Sequence, residues 1–326
     1  MKHKLDKSIG GYQGLDLPFI DAQLDQVTAR TNSARSAIKV ILKSIDAKKV
    51  WLPAYICDAV VDAVKDLDIA FAYYNLSPTF DVDTLVQLGK GEYILIVDYF
   101  GTFGDSVKRS LNRFGHANTI VDCSQAYFSE HVGALATVWS PRKFFGLPDG
   151  GLLYSDDPRI KQPQNRDNTS ETRMGHLIGR LTNSPETAYQ KFVEAEQAVA
   201  GLPVQGMSEL TERLLFSTDH KTIKIARARN ARHLHEHLSK YNKLDLNFDN
   251  STAPLCYPFL PNVKVTSRLE LIKNRVFVPC YWPEVLARVE EGSFEWDLVT
   301  YGLFLPCDQR YSDHEMDRLI SLLAIE

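Results

Sequence analysis

The chain has 326 residues, with 37 Lys and Arg against 41 Asp and Glu and a formal net charge of −4 at pH 7. Hydrophobic residues make up 44% and charged residues 24%. That balance excludes a disordered or fibrous chain, and it offers no basic excess for nucleic acid or an anionic membrane surface. At ~150 residues per domain, the length suggests two domains. Five cysteines (Cys57, Cys123, Cys256, Cys280, Cys307) are scattered and form no CxxC pair. Neither a disulfide framework nor a metal site is expected, and a reducing cytoplasm is the expected setting. The opening MKHKLDKSIGGYQG has no apolar stretch of signal-peptide type. No run approaches the ~18 apolar residues of a membrane span.

In chain order, Ser33 to Lys43 has helical spacing, Lys49 to Pro53 reads as a short strand, and Asp58 to Lys65 is helical again. Ile69 to Tyr74, Tyr93 to Tyr99, Asn118 to Asp122, Ala136 to Ser140 and Gly151 to Ser155 are apolar runs expected as strands. Continuous apolar runs fit strands covered on both faces, and their alternation with helices predicts a mostly parallel sheet. Pro158 to Arg173 is polar with two prolines and reads as a loop or mobile excursion. A long helix is expected over Thr222 to Tyr241. A smaller α/β unit with Arg275 to Pro279, Leu303 to Pro306 and a final helix from Ser312 to Ile325 is expected to close the chain. The expected division is a large domain over 1–210 and a small C-terminal domain over 211–326, with the N-terminal tail packing on the small domain.

Ligands of open α/β sheets bind beyond the carboxyl ends of the strands. The polar residues there are Asn32, Ser33 and Arg35; Tyr55 and Cys57; Asp98 and Tyr99; Asp122 and Gln125; and Ser140, Arg142 and Lys143. Asp122 ends a buried strand, where an acid is costly without a cation, although an N-cap role is equally open. Lys143, between a tryptophan-bearing strand and Phe144-Phe145, is a candidate desolvated amine, nucleophilic toward carbonyls. An acid at one strand end and a lysine beyond a later one is the arrangement pyridoxal phosphate needs. The lysine takes its aldehyde, and the acid keeps its ring nitrogen protonated. Ser33, Ala34 and Arg35 open a helix suited to its phosphate, and Ser140 adds a hydroxyl.

At these residues the chain resembles the DegT/StrS-like aminotransferases, pyridoxal-phosphate enzymes of fold type I. TNSARSAI resembles the family's phosphate segment, LPAYICDAV its Pro-x-x-Thr-aromatic segment, and IVDCSQA its Asp-bearing strand end. RKFFGLPDGGLL matches its lysine segment, with Gly150-Gly151 seven and eight residues after Lys143. GMSEL, IARARNARHLHEHL and the closing LPCDQRYSDHEMDRLISLL resemble later segments. The resemblance implies a homodimer of fold-type I chains with catalytic Lys143 and Asp122, and Gln125 beside the cofactor or its lysine. It implies an aminotransferase that carries an amino group, usually from glutamate, to a keto or aldehyde acceptor such as a keto-sugar nucleotide. The family's ring-stacking position falls at Cys57, which cannot stack, leaving Tyr55 or Tyr99 for that role. A partner-subunit asparagine position falls at Val204.

Arg142, Arg275 and Trp282 are candidate substrate contacts, with Arg275 and Trp282 reaching the site from the small domain. His233 and His237 share a helix face, and Arg227, Arg229 and Arg232 are expected on that same solvated face. Two rival readings are a pyridoxal-phosphate enzyme for a non-sugar substrate and a fold that has lost catalysis for a binding or regulatory role.

Overall fold

Every parallel strand of the main sheet delivers its carboxyl end to one edge, and the polar residues singled out above follow those ends. The structure, a computed structural model, describes residues 9, 11–20, 27–248 and 252–325. The large unit runs β1 (Ala29–Thr31), α1 (Ala34–Ser44), β2 (Lys49–Pro53), α2 (Asp58–Lys65), β3 (Ala70–Tyr74), β4 (Glu92–Val97), α3 (Gly104–Phe114), β5 (Thr119–Cys123), β6 (Ala136–Trp139) and β7 (Gly151–Tyr154). Helices α4 (Gly175–Thr182), α5 (Pro185–Ala200) and α6 (Glu209–Phe216) follow. The remainder is α7 (His220–Leu238), β8 (Tyr257–Phe259), α8 (Arg268–Lys273), α9 (Phe294–Tyr301), β9 (Leu303–Leu305) and α10 (Asp313–Leu322).

Seven strands form the main sheet in the order β1-β7-β6-β5-β4-β2-β3. The pairs among β2, β3, β4, β5 and β6 are parallel, and β7 is antiparallel to both β6 and β1. Val97 of β4 pairs with Asp122 of β5, and Asp122 with Val138 of β6. β5 and β6 are buried along their whole lengths, as strands covered on both faces must be. A second sheet pairs β8 and β9 antiparallel.

Local chemistry sets the elements. α1 starts where Ser33 Oγ accepts the Ser36 N–H at 3.1 Å, and it buries Ala37, Ile38, Ile41 and Leu42 on one face. α10 opens with a capping box between Ser312 and Glu315.

Several expectations need correction. Arg275 to Pro279 forms no strand: Arg275 has φ +61°, the Arg275 and Val276 N–H groups turn back to the Ile272 and Leu271 carbonyls at 2.9 Å, and Val276 and Val278 are buried outside any sheet ladder. The excursion over Pro158 to Arg173 is pinned rather than mobile. The Arg173 guanidinium is ion-paired to Asp167 with both side chains buried, and it donates to Thr169 Oγ1 at 2.8 Å and to the Pro148 carbonyl at 3.3 Å. Arg227 leaves the solvated face predicted for it and is 2% exposed. Near the N-terminus, Phe19 stacks on Phe216 at 5.3 Å, and the Ile20 N–H donates to the Phe216 carbonyl at 2.5 Å.

Candidate active site

The turn after β6 carries Lys143. Ser140 leads into a 3-10 turn over Pro141–Lys143, closed by the Lys143 N–H on the Ser140 carbonyl at 3.2 Å. Proline at the first position of the turn fixes its backbone. The Lys143 side chain is exposed, so the desolvation expected from sequence is not present in the free chain. Its charge acts on the Cys57 thiol, drawing that pKa down against the larger upward push of burial. The Ser140 hydroxyl has no partner among the described residues.

Eight residues after Lys143 the chain meets the start of α1. Gly150 has φ +127°, a backbone that favours glycine, and its N–H donates to the Asn32 carbonyl at 2.9 Å. A Cβ on Gly151 would overlap the Ser33 carbonyl and lie 2.6 Å from the Ala34 nitrogen. The Gly-Gly pair thus lets β7 pass against the α1 N-terminus, whose first turn carries no acid. Just before the pair, Asp149 is fully buried and accepts from Ser208 N at 2.9 Å, Ser208 Oγ at 2.8 Å and Thr211 Oγ1. Burial pushes its carboxyl up to about 6.

At the end of β5, Asp122 is 5% exposed. One carboxylate oxygen accepts the Ser124 N–H at 2.7 Å, and the other has no partner among the described residues. Gln125 turns Oε1 to the Phe100 N–H at 3.1 Å, which leaves its buried Nε2 without an acceptor. The Asp122 charge also pushes the Tyr99 phenol upward, behind the larger effects of burial and of Tyr74, Tyr55 and Glu295.

Tyr55 and Cys57 follow the end of β2 at Pro53. Tyr99 Oη donates to the Tyr55 carbonyl at 2.6 Å, and the two rings lie 5.6 Å apart. Both residues are 1% exposed or less, so neither presents an open ring face. The stacking role left to one of them is therefore not available in this arrangement. Cys57, half-buried, caps α2 by accepting the Ala59 N–H at 3.4 Å.

Other candidates are drawn elsewhere. The Arg35 guanidinium donates to the Ala59 carbonyl at 3.2 Å and the Ala200 carbonyl at 2.7 Å, so only its backbone belongs to the first turn of α1. Arg142 is ion-paired to Glu196, and Arg275 lies 3.3 Å from Glu186, so α5 holds both guanidinium groups. Trp282 does reach the cluster, 4.8 Å from the Tyr55 ring and 6.2 Å from Tyr99. His233 pairs with Asp317 at 2.7 Å, joining α7 to α10. Among the described residues no cluster of three His, Cys, Asp or Glu is suited to a metal. No described helix is long and apolar enough to cross a membrane.

Sequence reasoning missed the residues that support the lysine turn from the far side. Arg227 of α7 and Gln309 both reach the Phe144 carbonyl, at 3.5 Å and 2.9 Å. Periodicity could not reveal them, because the reach of a long side chain depends on a distant segment.

No family model matches the chain, nor does any curated protein. Solved structures do. NtdA from Bacillus subtilis, with bound cofactor PMP, is 16% identical, with a TM-score of 0.62 over 91% of this chain and 72% of its own. The sugar aminotransferase CalS13 from Micromonospora echinospora is 13% identical, with a TM-score of 0.60 over 90% of this chain and 86% of its own. PseC from Helicobacter pylori, an aminotransferase of pseudoaminic acid biosynthesis, is 15% identical, with a TM-score of 0.60 over 90% and 85%. Over nine-tenths of its length the chain has the fold of these aminotransferases.

Proposed function

We propose that the protein is a pyridoxal-phosphate-dependent aminotransferase that moves an amino group from glutamate to a keto or aldehyde carbon, with a keto-sugar nucleotide as acceptor. One convergence carries this reading. Asp122 with a free oxygen, Gln125 with an unmet Nε2, Lys143 and the α1 N-terminus all follow strand ends at a single sheet edge. That donor set fits the cofactor. The close pass of Gly151 keeps its own position from crowding the Ser33 carbonyl and the Ala34 nitrogen at the α1 N-terminus, and a helix N-terminus holds phosphate. The PMP bound in NtdA supports the cofactor, and the likeness to the sugar aminotransferase CalS13 supports the acceptor class.

Bound here, pyridoxal phosphate supplies an electron-accepting ring. The first turn of α1 would hold the phosphate through backbone N–H groups, with the Ser140 hydroxyl as a further donor. Asp122 would offer its free oxygen to the ring nitrogen, and Gln125 Nε2 would be a further donor to the cofactor. Lys143 Nζ takes the proton from the donor's amino-bearing carbon and returns one to the acceptor carbon. Opposite charges ~4 Å apart interact by about 4 kcal/mol at an effective dielectric near 20; realised only in the transition state, that would be worth roughly a thousandfold in rate. A homodimer in the cytoplasm belongs to this reading. Ile178 and Leu181 of α4 and Tyr189 of α5 are exposed, as a face that a second copy covers would be.

The test is a yellow absorbance that borohydride fixes, with the label mapped to Lys143. Lys143→Ala should abolish the adduct; a label that persists sinks the assignment. Asp122→Asn should lower turnover on the order of a thousandfold with cofactor content retained.

A further inference from the structure

The lysine turn closes on itself. The Lys143 N–H meets the Ser140 carbonyl at 3.2 Å, and the Phe144 and Phe145 N–H groups both meet the Pro141 carbonyl at 3.0 Å. Those bonds shape the turn but do not fix how it sits on the molecule. The Lys143 side chain is exposed and enters no hydrogen bond or ion pair among the described residues, so the backbone beneath it sets where the amine stands. The next carbonyl along, that of Phe144, is taken by the C-terminal unit. Gln309 Nε2 donates to it at 2.9 Å and Arg227 Nη2 at 3.5 Å.

The two donors are not equal. The Arg227 contact lies at the long limit of a hydrogen bond, and Nη1 of the same group is committed to the Pro254 and Leu255 carbonyls at 3.0 and 3.1 Å. The Gln309 bond has ordinary length, and its backbone stands on a stiff support. Asp308 accepts the Arg310 N–H at 3.0 Å and the Arg310 guanidinium at 2.7 and 2.8 Å. The Asp308 carbonyl takes Asn230 Nδ2 of α7 at 2.9 Å. The other end of the Gln309 amide is less content: Oε1 is buried with no donor among the described residues. An unmet buried acceptor is costly. Turning the amide over would set its oxygen against the Phe144 oxygen, so the single bond to that carbonyl holds the orientation.

We infer that Gln309 is a positioning residue for Lys143: from the C-terminal unit it holds the Phe144 carbonyl, and so fixes where the Lys143 amine stands beyond the end of β6. The proton transfers assigned to Lys143 rest on the proposed aminotransferase reading; the hold on the turn does not. The amine is then placed by two units at once, the sheet through β6 and the C-terminal unit through one amide. A misplacement of about 1 Å, caused from outside the reacting groups, costs on the order of a hundredfold in rate.

The test uses Cys57 as a reporter that needs no cofactor, because the Lys143 charge draws its thiol pKa down. Arg35 and Glu284 also act on that thiol, and the variants leave both in place. Gln309→Met keeps the length of the side chain and removes the donor; Gln309→His returns an N–H at similar reach. The full chain, stripped of cofactor, is alkylated with iodoacetamide from about pH 7 to about pH 10, and modification of Cys57 is read by peptide mass. Gln309→Met should move the Cys57 profile to higher pH, and Gln309→His should bring it most of the way back. On the cofactor-loaded chain, kcat with glutamate should fall roughly tenfold or more in Gln309→Met while KM changes less than about twofold, and Gln309→His should restore it. A parental Cys57 profile in Gln309→Met overturns the proposal, and so does a loss that Gln309→His fails to reverse. A Gln309→Met chain in which all five cysteines become reactive has lost its fold rather than the set of its lysine turn, and that too counts against the proposal. Borohydride labelling of Lys143 is read in parallel. A moved Cys57 profile without any label would keep the hold on the turn and discard the aminotransferase. A label with an unmoved profile would do the reverse.

Discussion

A single missing side chain sets how near β7 comes to the start of α1. At position 151 a methyl group would overlap the Ser33 carbonyl and press on the Ala34 nitrogen, both of them backbone that cannot rotate aside. Gly151→Ala should therefore cost at least the ~3 kcal/mol at the upper end of overpacking. It should also displace the helix terminus on which phosphate would sit. Urea melts measure the first effect, and cofactor retention on a gel-filtration column the second; a variant as stable as the parent would show that the strand can retreat. The residue scale also marks what sequence could and could not say. The placement of Asp122 at the end of β5 and of Lys143 in the turn after β6 was legible because apolar runs of strand length end there and a Gly-Gly pair follows. The contacts of Arg35, Arg142 and Arg227 were not, because a guanidinium sits at the end of a long, rotatable side chain. Whether it meets the Ala200 carbonyl, Glu196 or the Phe144 carbonyl is decided by remote segments.

At the scale of elements, the apolar strands were legible because burial on both faces leaves a continuous run of the right length. β8 was hidden by its central Pro258, and α3 by a glycine start without a side-chain cap. The parallel strands also create a pH dependence. Asp98 follows β4 and is 3% exposed; it accepts Ser129 Oγ at 2.7 Å through one oxygen and leaves the other unmatched. Burial pushes its pKa up from 3.8 to about 6. The folded form then binds a proton more readily than the unfolded form between about 6 and 3.8. This group's contribution to stability accordingly rises as pH falls through that window and is unfavourable above it. Asp98→Asn keeps an acceptor for Ser129 and removes the charge. Its stability relative to the parent should be highest near pH 8 and decline toward pH 4.5, by on the order of 2–3 kcal/mol. Melts of both proteins across that range measure the difference, and a difference independent of pH would remove Asp98 as its source.

At the scale of the whole molecule, the C-terminal unit grips the turn after β2. Arg288 is ion-paired to Asp58 and donates to the Ile56 carbonyl at 2.9 Å, while Glu284 accepts the Asp58 N–H at 3.2 Å. Between these contacts Trp282, at φ +58°, lays its ring against Tyr55. A bulky residue in left-handed backbone costs of order 1 kcal/mol or more and persists only where its surroundings hold it. Here the aromatic contact holds it, so the cost of the turn and the gain of the dock are linked through one residue. Cys57 lies between Ile56 and Asp58, and the Lys143 charge acts on its thiol, so loosening the dock should reach the site. Trp282→Ala should lose roughly 2 kcal/mol, below the 3–5 kcal/mol of a fully buried tryptophan because the ring is half-exposed. Trp282→Phe, which restores a ring, should recover most of it. Hydrogen exchange should speed up in 54–58 and in 276–288 together, while α10, held by its own capping box and the His233–Asp317 pair, keeps its protection. Faster exchange confined to 276–288 would mean that the two segments open independently and that the dock does not support the turn bearing Cys57.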